Sequence, residues 1–311
     1  MQEKQYNKRI AEIDIAKGLC ILLVVLGHGN FPAPITRFIY AFHVPFFFWV
    51  SGFMVNMSST YTEFLVKRLK TLLVPFLIYY AIHLPLYGYI FHRSIEQQFL
   101  YEIGHKIGGA LWFVPILFLA SLICRAIPQR ITLEIPCIFF MAAITSLLCI
   151  EGIVLPLNLG VLPLCSSYVL IGRIMGGARN EILANKSTVR HSILMISLAM
   201  ITYLISCYSY QQMYHDRTEP ALPIMVGAIM GSIMVLSASS IIKKSAAKLK
   251  DFLCYTGRNT FVFIAFSQPI LKIENMWLKS YVIPKYMLLF GILYLLIFIK
   301  NQSSFMKKLH L

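Results

Sequence analysis

The sequence predicts an all-α fold, a polytopic integral membrane bundle of about ten transmembrane helices with both termini in the cytoplasm. Of the 311 residues, 58% are hydrophobic and 13% are charged, and the mean hydropathy is +0.70. These values lie outside the range of a soluble globular domain. Apolar stretches of helix length recur along the whole chain, and basic residues are concentrated in alternate loops. We expect a single transmembrane domain over residues 1–311.

Ten stretches satisfy the length criterion for a membrane-spanning helix. In chain order they cover residues 13–30, 38–56, 72–91, 109–125, 134–150, 154–175, 192–210, 221–242, 252–271 and 282–300. The sixth and the ninth are interrupted by Pro156, Pro163 and the run GRNT, which membrane helices tolerate where neighbouring groups satisfy the backbone. The seven cysteines show no CxxC spacing and indicate neither a disulfide framework nor a metal site.

The distribution of lysine and arginine predicts the orientation. With ten spans and a cytoplasmic N-terminus, nineteen basic residues fall in cytoplasmic segments and seven on the opposite side, while Lys17 and Arg258 lie inside spans. This bias is the one that the positive-inside rule requires. The net charge of +15 is therefore mainly a topology signal. The cations form no single patch, so we expect no nucleic-acid partner.

Two polar residues of the first predicted helix share one face. Lys17 and His28 are eleven residues apart, which corresponds to about three turns and about 16 Å along a helix axis. An ammonium group and an imidazole are costly in hydrocarbon unless they line a cavity or meet partners. Taken singly, Lys17 could snorkel to the interface and His28 could be an ordinary bundle histidine. Together they favour a functional site.

The second predicted helix contains the run AFHVPFFFWVSGF, residues 41–53. If the first helix runs outward and the second returns, His43 lies at the same depth as His28 near the outer side. The two imidazoles are then expected to face each other across a helical hairpin. Ser51 and Gly52 lie deeper, where small residues permit close helix contact, so packing is the simpler interpretation of that pair.

The residues also resemble a known family. The segments IDIAKGLCILLVVLGH, FHVPFFFWVSGF, KRLKTLLVPFLIYY, LWFVP and TGRNTFVFI are similar to those of the membrane-bound acyltransferase family 3, and within it to the fucose O-acetylase-like branch. The resemblance extends from residue 12 to about residue 270. It implies a bundle of ten transmembrane helices. The implied activity is transfer of an acyl group, usually acetyl, from cytoplasmic acyl-coenzyme A to a hydroxyl of an extracytoplasmic acceptor such as an envelope glycan.

The resemblance also assigns residues. The essential histidine of the family corresponds to His28, and the basic residue of its first helix, commonly arginine, corresponds to Lys17. The cytoplasmic basic motif after helix two corresponds to Lys67 and Arg68. Lysine at position 17 keeps the charge but lacks the bidentate guanidinium fork.

A second departure from the family pattern lies near the C-terminal end of the resemblance. Ser267 and Gln268 stand where many relatives carry a late-helix histidine. Any role that this histidine has in the relatives is therefore not expected to transfer directly to this chain.

A physical mechanism follows from the same residues. Cations at the cytoplasmic mouth, Lys17 and Arg68 with Arg173 or Arg258, would hold the phosphates of the donor. A channel along the Lys17 and His28 face would admit the pantetheine arm. His28 would then accept the proton of the attacking hydroxyl as a general base, or would itself form an acyl-imidazole as a nucleophile. The sequence leaves both routes open.

Four further residues are expected to support the site. Asp14 is placed to hold the Lys17 ammonium, although an ordinary helix-entry carboxylate explains it equally well. Trp112 would stack on a sugar ring or anchor the chain at the membrane interface. Asn259 would contact the donor or cap a helix. Ser51 is a supporting residue of the second helix.

The function predicted from these observations is that of a multi-pass O-acyltransferase of the cytoplasmic (inner) membrane. Its donor substrate is acetyl-coenzyme A or another acyl-coenzyme A, its acceptor is an envelope glycan or a lipid-linked sugar, and no permanently bound cofactor or metal is expected. The alternative is a non-enzymatic transporter in which Lys17, His28 and His43 form a polar or proton path.

Overall fold

The computed structural model describes residues 9–29, 31–184, 187–209, 211–213, 217–218, 221–278 and 281–303. Over these residues the protein is all-helical, apart from one antiparallel pair of two-residue strands, β1 (Gln211–Gln212) and β2 (Arg217–Thr218). The all-α prediction is confirmed.

Fifteen α-helices are present in the described part of the chain. They are α1 (Ala11–Gly27), α2 (Ala33–Phe42), α3 (Pro45–Phe53), α4 (Tyr61–Arg68), α5 (Val74–Ile90), α6 (Ile95–Gly104), α7 (Phe113–Ala126), α8 (Ile131–Ile150), α9 (Leu162–Gly176), α10 (Arg179–Ala184), α11 (Thr188–Tyr208), α12 (Ala221–Ser245), α13 (Ala247–Arg258), α14 (Thr260–Trp277) and α15 (Val282–Gln302). A π-helical segment, Leu69–Leu73, joins α4 to α5, and a 3-10 segment, Pro156–Val161, precedes α9.

Every predicted apolar stretch falls on one of these helices or on two consecutive ones. Within the described ranges, six helical segments are long and apolar enough to cross a membrane. They are Tyr61–Ile90, Ile131–Ile150, Pro156–Gly176, Thr188–Tyr208, Ala221–Ser245 and Val282–Gln302. The chain is therefore a polytopic membrane protein.

Some of the residues used to predict the orientation cannot be placed. Both termini, residues 1–8 and 304–311, lie outside the described residues. The same holds for residue 30 at the end of the first predicted span and residue 210 at the end of the seventh. The basic residues concerned are Lys4, Lys8, Lys186, Lys279, Lys307 and Lys308, together with the side chain of Arg217.

The prediction of one continuous helix over 38–56 is wrong. The chain forms α2 and α3 instead, and His43 and Val44 lie in the turn between them. Pro45 explains the break, because it has no N–H to continue the hydrogen-bond ladder and its ring crowds the preceding turn. His43 is thus presented at a helix break rather than inside a regular helix.

Two other predicted spans also differ from a single regular helix within the predicted bounds. The ninth span, predicted over 252–271, is divided into α13 and α14 at Asn259, within the GRNT run. The third predicted span continues backward through the π-helical segment into α4, which gives one helical stretch from Tyr61 to Ile90. Pro75 follows the π-helical turn and cannot donate a backbone hydrogen bond to it, which accounts for the widened turn.

Helix α1 packs against α12, α13 and α14 in the core of the bundle. Two glycines allow the close crossing of α1 and α13, because a Cβ on Gly18 would collide with the backbone of Leu253 and one on Gly257 would collide with the carbonyl of Asp14. This crossing brings the start of α1 beside the end of α13, where Arg258 lies. The packing interpretation of Gly52 is confirmed in the same way, since its Cα lies against the backbone of Val169 on α9.

Candidate active site

A cavity of about 210 Å³ lies between α1, the α2–α3 break, the start of α7 and α14. Its polar lining groups are His28, Tyr40, His43, Trp112 and Gln268. The remaining lining residues are Ile21, Val24, Val44, Phe47, Ala110, Phe113, Met213 and Ile264. Both predicted imidazoles therefore line one cavity, with apolar side chains around them.

His28 lies at the C-cap of α1 and takes part in a chain of hydrogen bonds. The side-chain amide nitrogen of Gln268 donates to Nε2 of His28 at 2.5 Å. Nδ1 of His28 lies 3.5 Å from the hydroxyl of Tyr40, which itself donates to the carbonyl of Gly27 at 3.3 Å. An amide nitrogen can only donate, so the neutral ring carries its proton on Nδ1 and its lone pair on Nε2. Nε2 is therefore the nitrogen that is able to accept a proton.

His43 is 2% exposed and has a defined tautomer as well. Its Nδ1 lies 2.7 Å from the carbonyl oxygen of Ile39. A carbonyl oxygen only accepts, so Nδ1 carries the proton and Nε2 keeps a lone pair. The ring of Tyr40 packs edge-on against both imidazoles, with centroid distances of 4.9 Å to His43 and 6.4 Å to His28. Tyr40 thus connects the two predicted histidines.

Trp112 is 5% exposed and lines the same cavity. A tryptophan that anchors a protein at the membrane interface is exposed to lipid and headgroups. The buried position of Trp112 does not fit that alternative, and stacking of Trp112 against a sugar ring stays a prediction.

The predicted contact between Asp14 and Lys17 is present near the other end of α1. The Lys17 ammonium lies 2.9 Å from Oδ1 of Asp14, and the guanidinium of Arg258 donates to Oδ2 at 3.0 Å. Asp14 is buried, whereas the side chains of Lys17 and Arg258 remain partly exposed. Two cations share one carboxylate, so the cluster of Asp14, Lys17 and Arg258 has a net positive charge.

Arg68 belongs to a separate group of contacts. Its guanidinium donates to the hydroxyl of Ser51 at 2.9 Å, and that hydroxyl lies 3.5 Å from the hydroxyl of Ser121 on α7. The predicted residues Arg68 and Ser51 are therefore brought together. Arg68 bonds to α3 and is connected to α7 through Ser51, whereas Lys17 is paired with Asp14, which also binds Arg258 of α13.

Two predicted cytoplasmic residues use their polar groups internally. Asn259 donates to the carbonyl of Tyr255 at 2.8 Å and accepts from the Lys300 ammonium at 2.7 Å. Its side chain does not cap α14. Arg173 is buried and donates to Glu134 at 2.7 Å and to the carbonyl oxygens of Cys124 and Ile127. Arg173 therefore contributes to packing of α7, α8 and α9 rather than to an open cationic mouth.

Sequence reasoning missed Tyr40 and gave no role to Gln268. Both are polar residues in predicted membrane spans, which is the signal that singled out His28 and His43. Gln268 stands next to the position assigned to the late-helix histidine of the relatives, and its side chain reaches His28 across 240 residues of sequence.

The cavity follows the predicted face of α1 for part of its length. Ile21, Val24 and His28 line it, at intervals of three and four residues that continue the face of Lys17. It ends at Ile21, about 6 Å or one helical turn from Lys17. The cavity therefore covers the part of the expected path from His28 to Ile21, and the turn from Ile21 to Lys17 lies outside it.

The fold and the site together define a polytopic membrane protein with a histidine-lined cavity at one end of its central helix. The chain belongs to the family described as "Acyltransferase domain", which matches residues 10–300. The predicted family membership is thus confirmed, and the protein is a membrane acyltransferase that uses an acyl donor and an acceptor. This finding favours the enzyme over the transporter alternative.

Two curated relatives carry the name Nodulation protein NolL. The protein from Sinorhizobium fredii is 25% identical over 253 residues, which is 76% of this chain and 69% of that protein. The protein from Mesorhizobium japonicum is 26% identical over 136 residues, which is 39% of this chain and 36% of that protein. No solved structure matches the chain.

Proposed function

We propose that the protein transfers an acetyl group from cytoplasmic acetyl-coenzyme A to a hydroxyl of an extracytoplasmic glycan or lipid-linked sugar, as a single domain of the inner membrane. The observation that carries this proposal is the cavity in which His28, His43, Tyr40 and Gln268 converge, on the same face of α1 as Lys17. Proton acceptors and hydrogen-bond donors in an otherwise apolar cavity suit acyl transfer to a hydroxyl.

The proposed orientation has ten crossings and two cytoplasmic termini. It is supported by the helical conformation of all ten apolar stretches and by the excess of basic residues in alternate loops. With this orientation the cluster of Asp14, Lys17 and Arg258 faces the cytoplasm, and His28 lies near the outer side. Donor and acceptor would then approach the cavity from opposite sides of the membrane.

At the donor end, the net positive charge around Asp14 is suited to the phosphates of coenzyme A. We propose that Lys17 and Arg258 contact these phosphates directly and that Arg68 contributes from the α3–α7 side. Asn259 would act through Lys300, because its amide is already bonded within the chain. The pantetheine arm would pass Ile21 and Val24 on its way from Lys17 to His28.

At the acceptor end, the acceptor hydroxyl would take the place of the Gln268 amide at Nε2 of His28. His28 accepts the hydroxyl proton as the sugar oxygen attacks the thioester carbonyl, so that a C–O bond forms and the C–S bond breaks. The imidazolium then returns the proton to the departing thiolate, which yields an ester and coenzyme A. A covalent acyl-His28 intermediate is the alternative route with the same products.

Tyr40, His43 and Trp112 would complete the site. The hydroxyl of Tyr40 accepts from Nδ1–H of His28 and would stabilise the imidazolium. Nε2 of His43 is able to accept from the acceptor, and Trp112 offers an aromatic face for a sugar ring.

The test is acetyl transfer by the purified protein in detergent, with radiolabelled acetyl-coenzyme A and candidate glycans. His28→Ala should reduce transfer by about 10²- to 10⁴-fold while donor binding survives, because it removes the proposed base. His43→Ala should reduce turnover less. His92→Asn is the matched control, since His92 is exposed and has φ 53°, which asparagine tolerates. Transfer at the wild-type rate by His28→Ala would contradict the mechanism.

A further inference from the structure

Helix α6 has an unusual distribution of polar residues. Its apolar side chains point outward, and Leu100 is 61% exposed. Gln98 and Glu102, by contrast, are 1% and 0% exposed and face the bundle. A helix with a polar inner face is not held by apolar packing, so its attachment depends on the bonds that these two residues make.

Glu102 is the centre of those bonds. Its Oε1 accepts from the side-chain amide of Gln98 at 2.8 Å and from the backbone N–H of Gly108 at 3.2 Å. The imidazole of His83 on α5 lies 3.4 Å from the same oxygen and is 1% exposed. One carboxylate therefore joins α5, α6 and the segment that follows α6.

That segment, residues 107–112, forms a wall of the cavity. It includes Ala110 and Trp112, which both line the cavity. Gly109 has φ +66°, a conformation that L side chains rarely adopt. A Cβ at Gly108 would collide with the ring of Tyr87, and one at Gly109 would lie 2.7 Å from the hydroxyl of Tyr87. The two glycines thus allow the wall to approach α5 closely.

The other side of the wall contacts the partner of His28. A Cβ at Gly109 would be 3.5 Å from Cβ of Gln268, whose amide donates to His28. The backbone at Gly109 therefore lies between the Glu102 group and the residue that contacts the proposed base. A shift of this backbone would displace Trp112, because both belong to one short segment. It would also displace Gln268, because Gly109 contacts it directly.

We propose that His83 and Glu102 are positioning residues for the acceptor side of the cavity, holding residues 107–112 so that Trp112 and Gln268 keep their places around His28. This inference rests on the proposed function. A buried carboxylate is a costly way to stabilise a helix contact, and well-packed apolar residues often serve equally well. A directional bond to the backbone N–H of Gly108, in contrast, fixes the position of the two glycines, which have no side chains to hold that part of the wall.

The test compares Glu102→Gln with wild type by steady-state kinetics and by hydrogen–deuterium exchange of the full-length protein in detergent. Glu102→Gln should raise the acceptor KM or lower kcat by at least about fivefold, because loss of a charge-assisted bond loosens the wall. The affinity for acetyl-coenzyme A should stay unchanged, because the donor cations lie at the other end of α1. Exchange should increase in a peptide covering residues 107–114.

The matched control is Glu134→Gln. Glu134 is also a buried carboxylate in a tight pair, with Arg173 at 2.7 Å, but it does not line the cavity. Glu134→Gln should lower thermal stability without changing the acceptor KM or the hydrogen–deuterium exchange of residues 107–114. Gly109→Ala, which strains the same wall directly, should reproduce the kinetic effect of Glu102→Gln. If Glu102→Gln does not fold, Gln98→Ala removes the 2.8 Å bond alone and takes its place.

Several outcomes would overturn the inference. Wild-type kinetics in Glu102→Gln, or an equal change of acceptor KM in Glu134→Gln, would reduce the His83 and Glu102 pair to a stabilising contact. Unchanged exchange of residues 107–114 would do the same. The exchange measurement needs no activity, so a failure of the proposed acetyl transfer and a failure of this inference are distinguishable.

Discussion

Tyr40→Phe should slow acyl transfer about tenfold, and at most about a hundredfold, without changing donor affinity. The substitution removes one hydroxyl and keeps the ring that packs against His43 and His28 at 4.9 Å and 6.4 Å. In the resting site the hydroxyl lies 3.5 Å from Nδ1 of His28, a long neutral hydrogen bond of little energy. The loss of that bond alone would hardly affect binding.

The expected loss arises when His28 takes the acceptor proton. The Nδ1–H bond to Tyr40 then becomes charge-assisted, and such bonds are worth about 1.5–3 kcal/mol, or about ten- to a hundredfold in rate. An interaction that strengthens only as the ring becomes charged lowers the barrier and not the energy of the bound substrates. The effect should therefore appear in kcat.

The assay is the initial rate of acetyl transfer at saturating donor, with calorimetric titration of acetyl-coenzyme A into the same preparation. Tyr203→Phe is the control, because Tyr203 on α11 also packs against α2, through Phe38 at 6.3 Å, but lies outside the cavity. An unchanged kcat in Tyr40→Phe, or an equal loss in Tyr203→Phe, would refute the assignment of Tyr40 as the group that stabilises the His28 imidazolium.

Two further predictions concern the proposed donor phosphates and the path of the donor arm. Lys17→Gln and Arg68→Gln should each weaken acetyl-coenzyme A binding about ten- to a hundredfold, as measured by calorimetry, whereas Lys17→Arg should retain affinity. Equal affinity in all variants would contradict the assignment of Lys17 and Arg68 as phosphate-binding residues. Lys17→Gln should fold, because Asp14 keeps its bond to Arg258. Ile21→Trp should abolish acetyl transfer by filling the end of the cavity nearest Lys17, whereas Ile21→Ala should leave it intact. The two variants are compared at matched protein amounts, and activity in Ile21→Trp would show that the donor arm takes another path.

Local patterns in the sequence were sufficient for the class of fold and for part of the site. Hydropathy and helical periodicity depend only on neighbours along the chain, so the ten apolar stretches and the shared face of Lys17 and His28 could be predicted. The pairing of Asp14 with Lys17 was predictable for the same reason, since residues three apart on a helix are neighbours. The meeting of His28 and His43 in one cavity followed from the hairpin that joins their helices.

Contacts between distant helices could not be predicted in this way. Gln268 reaches His28 across 240 residues, and the cation that shares Asp14 is Arg258, 244 residues away. Arg173 was a candidate for phosphate binding until Glu134 proved to be its buried partner. Which polar groups face each other depends on how the helices cross, and that is set by close approaches such as Gly257 against Asp14.

The sequence by itself determined that this chain is a helical membrane protein with an ionisable pair along its first helix, because apolar length and period are properties of single segments. Only the tertiary structure decided which of its many polar residues line the candidate cavity. Pro45 breaks the second span so that His43 lines the cavity. Glu102 approaches His83 and accepts from Gly108 only because α6 packs with its polar face inward. In an apolar environment each such group must find a partner, and the choice of partner is made by packing.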